Sequence, residues 1–366
     1  MKSTKSHRLL ITGICGFVGS VVARRLLEHL SGLQIVGIDN LARAGSETNV
    51  EPLRALGIDV RILDLRNESD LAGLPPSDWV IDCAANPSVL AGVDGRTSAK
   101  ELLDHNLGGT IHLLEYCRRH QAGFLLLSTS RVYSIKPLTE LPLKVDDDAF
   151  VLDTGLAQAA VTLEGVSESF STDPPISLYG ASKRCSELLA LEYGMSFGFP
   201  IRINRCGVLA GAGQFGKGDQ GIFSYWIHSW AAKRSLKYIG FDGKGYQVRD
   251  CLHPRDLVPL LVRQITEPEH PAPPIVNLAG GAKSAMSLAQ LSRWCEDRFG
   301  SLPSCLDPRH SSHDQTSRPF DIPWMILDSA LARNAWDWQG KTSPLEILEE
   351  IASHAEQTPG WLDLVA

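Results

Sequence analysis

In "SLYGASKRCSELL", Tyr179 and Lys183 stand four residues apart, so a helix carrying them puts both side chains on one face. A phenol titrates near ~10 and is a poor base at neutral pH. An ammonium group nearby stabilises the phenolate and suits it to taking a proton from an alcohol. The same spacing is common on solvated helices, so the pair gains meaning only with a third partner. "LLLSTSRVY" offers Ser128, Thr129 and Ser130 at the end of an apolar run. A hydroxyl there often only caps a turn, but the carboxyl ends of strands are also where open α/β sheets bind ligands. Thr129 is expected to hold a substrate oxygen and help pass its proton to Tyr179.

The elements that must position these groups begin with "LLITGICGFVGSVVARRLLEHL". Gly13, Gly16 and Gly19 lie between an apolar strand and a helix opened by Phe17, with Val18, Val21, Val22, Leu26 and Leu27 on its apolar face. Such glycines allow a sharp turn, close approach of a pyrophosphate and tight packing of helix on sheet. The helix N-terminus then favours the anion. Asp39 closes the second strand, 20 residues past Gly19, where a carboxylate accepts both hydrogen bonds of an adenosine ribose diol and repels a 2′-phosphate. NAD is therefore expected over NADP, with Arg43 nearby leaving the phosphorylated form open. In "DLRN", Asp64 is placed to meet the adenine amino group. In "CAAN", Ala84 and Ala85 leave room for the nicotinamide half.

Short apolar runs alternate with helical patterns through the first half: "RLLITG", a helix at 17–30, "LQIVGID", a helix near 50–56, "DVRILDL", "WVIDCAA", a helix at 98–120 and "GFLLLSTS". This alternation predicts an α/β fold with a doubly wound parallel sheet buried on both faces. Residues 136–175 lapse into an acidic, Ser- and Pro-rich insertion. Beyond it come a helix at 179–196, the strand "PIRINRCGVL", a glycine-rich loop, a helix at 221–234 and a strand near 236–239. "GYQVRDCLH", "PIVNLAG", a helix at 287–299, a polar loop and a helix at 343–355 complete the pattern.

Composition narrows the class of protein. A 43% hydrophobic content over 366 residues supports a packed core, and a net charge of -7 disfavours nonspecific grip on nucleic acid. Eight scattered cysteines without a C-x-x-C pair read as free thiols in a reducing cytoplasm. No run approaches the ~20 apolar residues of a membrane span, and "MKSTKSHR" is not followed by a signal-peptide pattern. His310 and His313 could suggest a metal, but no third ligand lies near, and solvated loop histidines are the reading preferred.

"TGICGFVG", "DN" at 39–40, "DLRN", "NLGGTIHLLE", "STSRVY", "YGASK", "RDCLHPRD" and "NLAGG" occur in an order that resembles the extended short-chain dehydrogenase/reductase family of nucleotide-sugar epimerases and dehydratases. The resemblance implies a Rossmann NAD-binding domain over 1–206, with 247–279 returning to it. It also implies a smaller α/β nucleotide-sugar domain over most of 207–366, and a homodimer or homotetramer. Thr129, Tyr179 and Lys183 would be the catalytic triad. NAD contacts would come from Gly13, Gly16, Phe17, Val18, Gly19, Asp39, Asn40, Arg43, Asp64, Leu65, Ala84, Ala85, Asn106, Ser128, Tyr179 and Lys183. Dehydratases of the family carry Asp-Glu after the catalytic Thr, whereas Ser130 and Arg131 stand here, which disfavours dehydration.

The insertion, "GQFGKGDQG" and "QVRDCLHPRD" look most like epimerases acting at C2 of a CDP-hexose. Ser130, Asn204, Gln214, Phe215, Asp219 and Gln220 would then line the sugar-nucleotide pocket, and Arg249 would pair with the diphosphate. UDP-hexose 4-epimerisation is the alternative enzyme. Relatives that only sense nicotinamide redox state lose the active tyrosine, which this chain keeps. It departs from the family pattern at Asp82 (usually His), Ser134 (usually Gly) and Gly340 (usually Pro), and Arg309 stands two residues further from Asp314 than the family's arginine.

Overall fold

"GFLLLST" is buried at six of its seven positions, and its side chains divide between two cores. Leu125 and Leu127 join Leu9 and Ile11 in one apolar cluster, while Phe124 and Leu126 join Leu10 in the other. That two-residue alternation places the strand in the middle of a sheet with apolar cover on both faces. The structure, a computed structural model, describes residues 7–93, 95, 98–153, 160–218, 220–309 and 320–365.

Strands β1 (Arg8–Thr12), β2 (Gln34–Asp39), β3 (Asp59–Ile62), β4 (Trp79–Asp82) and β5 (Gly123–Thr129) come first. Two short hairpins follow, β6 (Leu143–Asp146) with β7 (Ala149–Leu152) and β8 (Val161–Thr162) with β9 (Gly165–Val166). The remaining strands are β10 (Ile201–Cys206), β11 (Val208–Leu209), β12 (Val248–Leu252), β13 (Ile275–Leu278), β14 (Ala285–Ser287) and β15 (Trp324–Met325). The main sheet runs β13-β10-β5-β4-β1-β2-β3, and every pairing in it is parallel. This is the doubly wound Rossmann-type architecture, with its crossover point between β1 and β4.

Of the helices α1 (Phe17–His29), α2 (Val50–Ala55), α3 (Glu68–Ala72), α4 (Ala99–Leu103), α5 (Gly109–His120), α6 (Ile135–Thr139), α7 (Ser177–Phe197), α8 (Ile222–Ala231) and α9 (Val258–Thr266), four cover the main sheet. Val22 and Leu26 of α1 and Leu260 and Leu261 of α9 close one face; Leu113 and Cys117 of α5 and Ala190 of α7 close the other. In the second, smaller sheet β12 pairs with β11, β14 and β15. It is backed by α8, α10 (Leu288–Phe299) and α12 (Pro344–Gln357), with α11 (Ala330–Trp336) and α13 (Trp361–Leu364) completing the chain. Of 247–279, then, β12 lies in the small sheet, whereas α9 and β13 lie with the large one.

Two expected elements differ. The helix at 98–120 is interrupted by a π-turn at Asp104–Gly108, which turns Asn106 inward at 3% exposure. No strand forms near 236–239. Leu236 and Tyr238 sink instead into the apolar cluster under α8, and Leu236 donates its N–H to the Leu306 carbonyl. The sequence reading also missed α9, and the insertion contains α6 and both hairpins. Ser134 ties it down, its hydroxyl 2.7 Å from Ser171 Oγ and donating to the Asp173 carbonyl at 2.6 Å.

Candidate active site

A cavity of about 1130 Å³ opens along the carboxyl ends of the main-sheet strands and reaches the second sheet. At one end is the β1–α1 turn. Gly13 has φ +58, and a Cβ there would lie 2.9 Å from the Ala84 backbone. A Cβ at Gly19 would lie 2.2 Å from the Gly13 carbonyl oxygen. Only glycine lets α1 descend this closely. Gly16 caps the helix without a side-chain hydrogen bond, its own N–H held by the Gly13 carbonyl at 3.0 Å, and Phe17, Val18 and Gly19 of the uncapped first turn line the cavity.

Asp39 stands at the end of β2. Its two oxygens accept from the Cys15 and Leu41 N–H groups, both at 2.9 Å. Burial pushes its carboxyl up, opposed by these backbone donors. Asn40 donates to Asp64 at 3.2 Å. Hydrogen bonding from Arg66 holds the Asp64 carboxyl well below the usual carboxylate range, so Asp64 meets the cavity already paired. Leu65, Ala84 and Ala85 line the wall. Asp82 works beneath them: its Oδ1 accepts from Thr12 Oγ1 at 2.6 Å and from Ala84 N–H at 3.2 Å, tying β1 to β4 under the cavity floor.

Thr129, Tyr179 and Lys183 line the same cavity. Lys183 is 2% exposed, and its ammonium makes no hydrogen bond or ion pair to a described residue. Burial raises the Tyr179 phenol, while Thr129 hydrogen bonding and the Arg131 charge lower it. Ser128 reaches the wall, but its hydroxyl donates to Glu187 Oε1 at 2.6 Å. Glu187, fully buried, also takes Arg205 Nη2 at 2.7 Å and Arg184 Nη1 at 3.2 Å. This network, absent from the sequence reading, pins α7 to β5 and β10.

At the far end Ser130, Gln214, Phe215, Gln220 and Arg249 line the cavity. Arg249 is pushed down to about 10, by burial first and then by repulsion from Arg131. Arg43, expected at the cofactor, turns across to this end, where Nη1 donates to Gln220 Oε1 at 2.8 Å and Nη2 to the Phe215 carbonyl. Gln247, which opens the "QVRDCLHPRD" segment, also lines the wall, as do Lys237 and Asp321, which nothing local in their sequence marks. The side-chain amide oxygens Oε1 of Gln214 and Gln247 are buried there without a partner among the described residues.

Two expected site residues do not reach the cavity. Asn204, within β10, is fully buried and exchanges both amide hydrogen bonds with Gln264, at 2.9 and 3.0 Å. Asn106 sits behind the wall, accepting from Asn86 N–H at 2.8 Å and donating to Ser182 Oγ at 3.1 Å. Their sequence neighbourhoods point to the site, but strand alternation and the π-turn direct them inward. Arg309 pairs with Asp307 and Glu296 away from the cavity. Asp219, His310, His313 and Asp314 lie outside the described residues.

The model of the NAD dependent epimerase/dehydratase family matches residues 9–279. The chain belongs to the NAD dependent epimerase/dehydratase family. It is 27% identical over 363 residues to CDP-paratose 2-epimerase of Salmonella typhi, covering 94% of this chain and 98% of that protein. Its fold matches UDP-glucuronic acid 4-epimerase from Bacillus cereus, solved with UDP-glucuronic acid and NAD, at a TM-score of 0.74 and 23% identity, covering 96% and 99% of the two chains. A dTDP-glucose 4,6-dehydratase from Streptomyces venezuelae, with NAD bound, matches at a TM-score of 0.77 and 22% identity over 98% and 100%.

The cofactor of this epimerase/dehydratase family is NAD, and the residues present fit it. The bare glycine turn leaves space and N–H donors for a pyrophosphate, Asp39 presents a carboxylate for a diol, and the Lys183 ammonium has no partner among the described residues.

Proposed function

We propose that the protein is an NAD-dependent nucleotide-sugar epimerase acting at C2 of a CDP-hexose. One observation carries the reading: Thr129, Tyr179 and Lys183 line one cavity together with the glycine turn and Asp39 and with the polar groups of Gln214, Gln220 and Arg249. Bound NAD supplies the acceptor for a ring hydride and its later return. Tyr179, as phenolate, takes the proton of the ring hydroxyl, with Thr129 orienting that oxygen. Lys183 would hold the nicotinamide ribose and favour the phenolate. Arg249 would anchor the diphosphate while the keto-sugar turns, and Tyr179 would return the proton to the sugar oxygen. Ser130 and Arg131 offer no carboxyl group to expel water from the keto-sugar. Similarity to CDP-paratose 2-epimerase along the full chain supports C2 and the cytidine nucleotide.

The test is incubation of the holoenzyme with CDP-, UDP-, GDP- and dTDP-hexoses in deuterated water, with products read by NMR. Inversion at C2 of a CDP-sugar without deuterium at C2 is expected. Inversion at C4 of a UDP-sugar, loss of water, or NADH accumulating stoichiometrically with oxidised sugar would each replace this reading.

A further inference from the structure

Arg131 follows Thr129 by two residues and lines the same cavity as Tyr179. Its backbone N–H donates to Thr129 Oγ1 at 3.1 Å. Its carbonyl presses on the first turn of α7, where a Cβ at Gly180 would come within 2.3 Å of it. Its Nη1 donates to the Phe320 carbonyl at 3.2 Å. Arg131 is thus clamped between the two elements that carry Thr129 and Tyr179. Among the described residues the carboxylate acting on it is Asp321, and Asp321 is shared with Arg249, whose Nη2 lies 3.4 Å from Oδ1. Asp321 therefore faces two guanidinium groups, and of the two only Arg249 has a second carboxylate, Asp250, acting on it, so Arg131 shares its single anion.

We propose that Arg131 is a positioning residue for proton transfer, a second cation that holds Tyr179 as phenolate from the β5 side while Lys183 acts from α7. The proposal rests on Tyr179 being the base. In the step it serves, the sugar O–H bond breaks and the proton goes to the phenolate oxygen, and Arg131 enlarges the fraction of enzyme ready to accept it. Lining the cavity with Tyr179 are Lys183 on its own helix, Thr129 at the end of β5, Arg131 just beyond it, and Cys206 at the end of β10, whose thiol opposes ionisation as burial does. Asp321 and Arg249 act on it through Arg131. An opposite charge at such a site shifts a titration by about one unit or more, roughly tenfold in phenolate at a given pH.

The holoenzyme can be titrated by near-ultraviolet phenolate absorbance, with Tyr179→Phe subtracted, so no substrate is needed. Arg131→Gln is expected to move the Tyr179 midpoint up by about one unit, Arg131→Lys to restore most of it, and the rising limb of kcat against pH to follow. An Arg131→Gln curve superimposed on the parent's, or equal displacement in the Gln and Lys variants, overturns the proposal. Should Arg131→Gln not fold, Asp321→Asn carries the test: relieving both cations of their shared anion must lower the midpoint, and a rise or no change refutes it. A parent without a transition that Tyr179→Phe removes would refute the base assignment itself, a separate result from failure at Arg131.

Discussion

Tyr179 is buried where its charged form is costly, and two neighbours oppose that cost: the Thr129 hydroxyl and the Arg131 guanidinium. Removing the phenolic oxygen leaves the packing of the ring intact but deletes the acceptor for the sugar proton. Tyr179→Phe is expected to reduce turnover by about 10³-fold while the NAD content of the purified protein, measured by mass spectrometry after denaturation, stays at the parent level. Loss of cofactor together with activity would mean instead that the tyrosine only shapes the dinucleotide site.

Among the elements, β12 carries both Arg249 and the buried Asp250. Burial pushes the Asp250 carboxyl up to about 7, against hydrogen bonding from the Gly281 N–H at 3.0 Å. A carboxyl whose native value exceeds its unfolded one of about 4 binds protons more tightly when folded. Its contribution to stability is therefore complete below about pH 4 and is lost as pH rises through about 7. Asp250→Asn keeps an acceptor for Gly281 and removes the titration. It is expected to abolish the fall in Tm across that window and to leave the variant about 2 to 4 kcal/mol more stable than the parent near pH 8. Parallel melting profiles for the two proteins would show that Asp250 is ionised in the fold.

On the scale of the whole molecule, the glycine loop after β11 is held from two sides. Arg43, four residues past Asp39, binds Gln220 and the Phe215 carbonyl, while the indole N–H of Trp361 in α13 donates to the Gln214 carbonyl at 3.0 Å. The loop thereby closes over a cavity whose two ends belong to different sheets. Arg43→Ala is expected to release the loop on one side, raising KM for the sugar nucleotide and the NAD off-rate together by about tenfold, since one charge-assisted hydrogen bond amounts to roughly 1.5 kcal/mol. A change in KM alone, with cofactor dissociation unmoved, would confine Arg43 to the substrate.

What the chain determined by itself is whatever depends on local period and on residue type. The alternation of apolar runs with helices dictated the parallel sheet, the spacing of Gly13, Gly16 and Gly19 dictated the turn, and the four-residue step from Tyr179 to Lys183 put both on one wall. Tertiary structure alone decided the rest. Asn204 and Asn106 carry suitable chemistry beside the site yet face inward, because strand alternation and a π-turn set direction irrespective of side-chain type. Arg131, Gln247 and Asp321 come from three distant segments with no shared motif. A charge acts through distance and dielectric, and neither exists for a residue until the chain has folded around it.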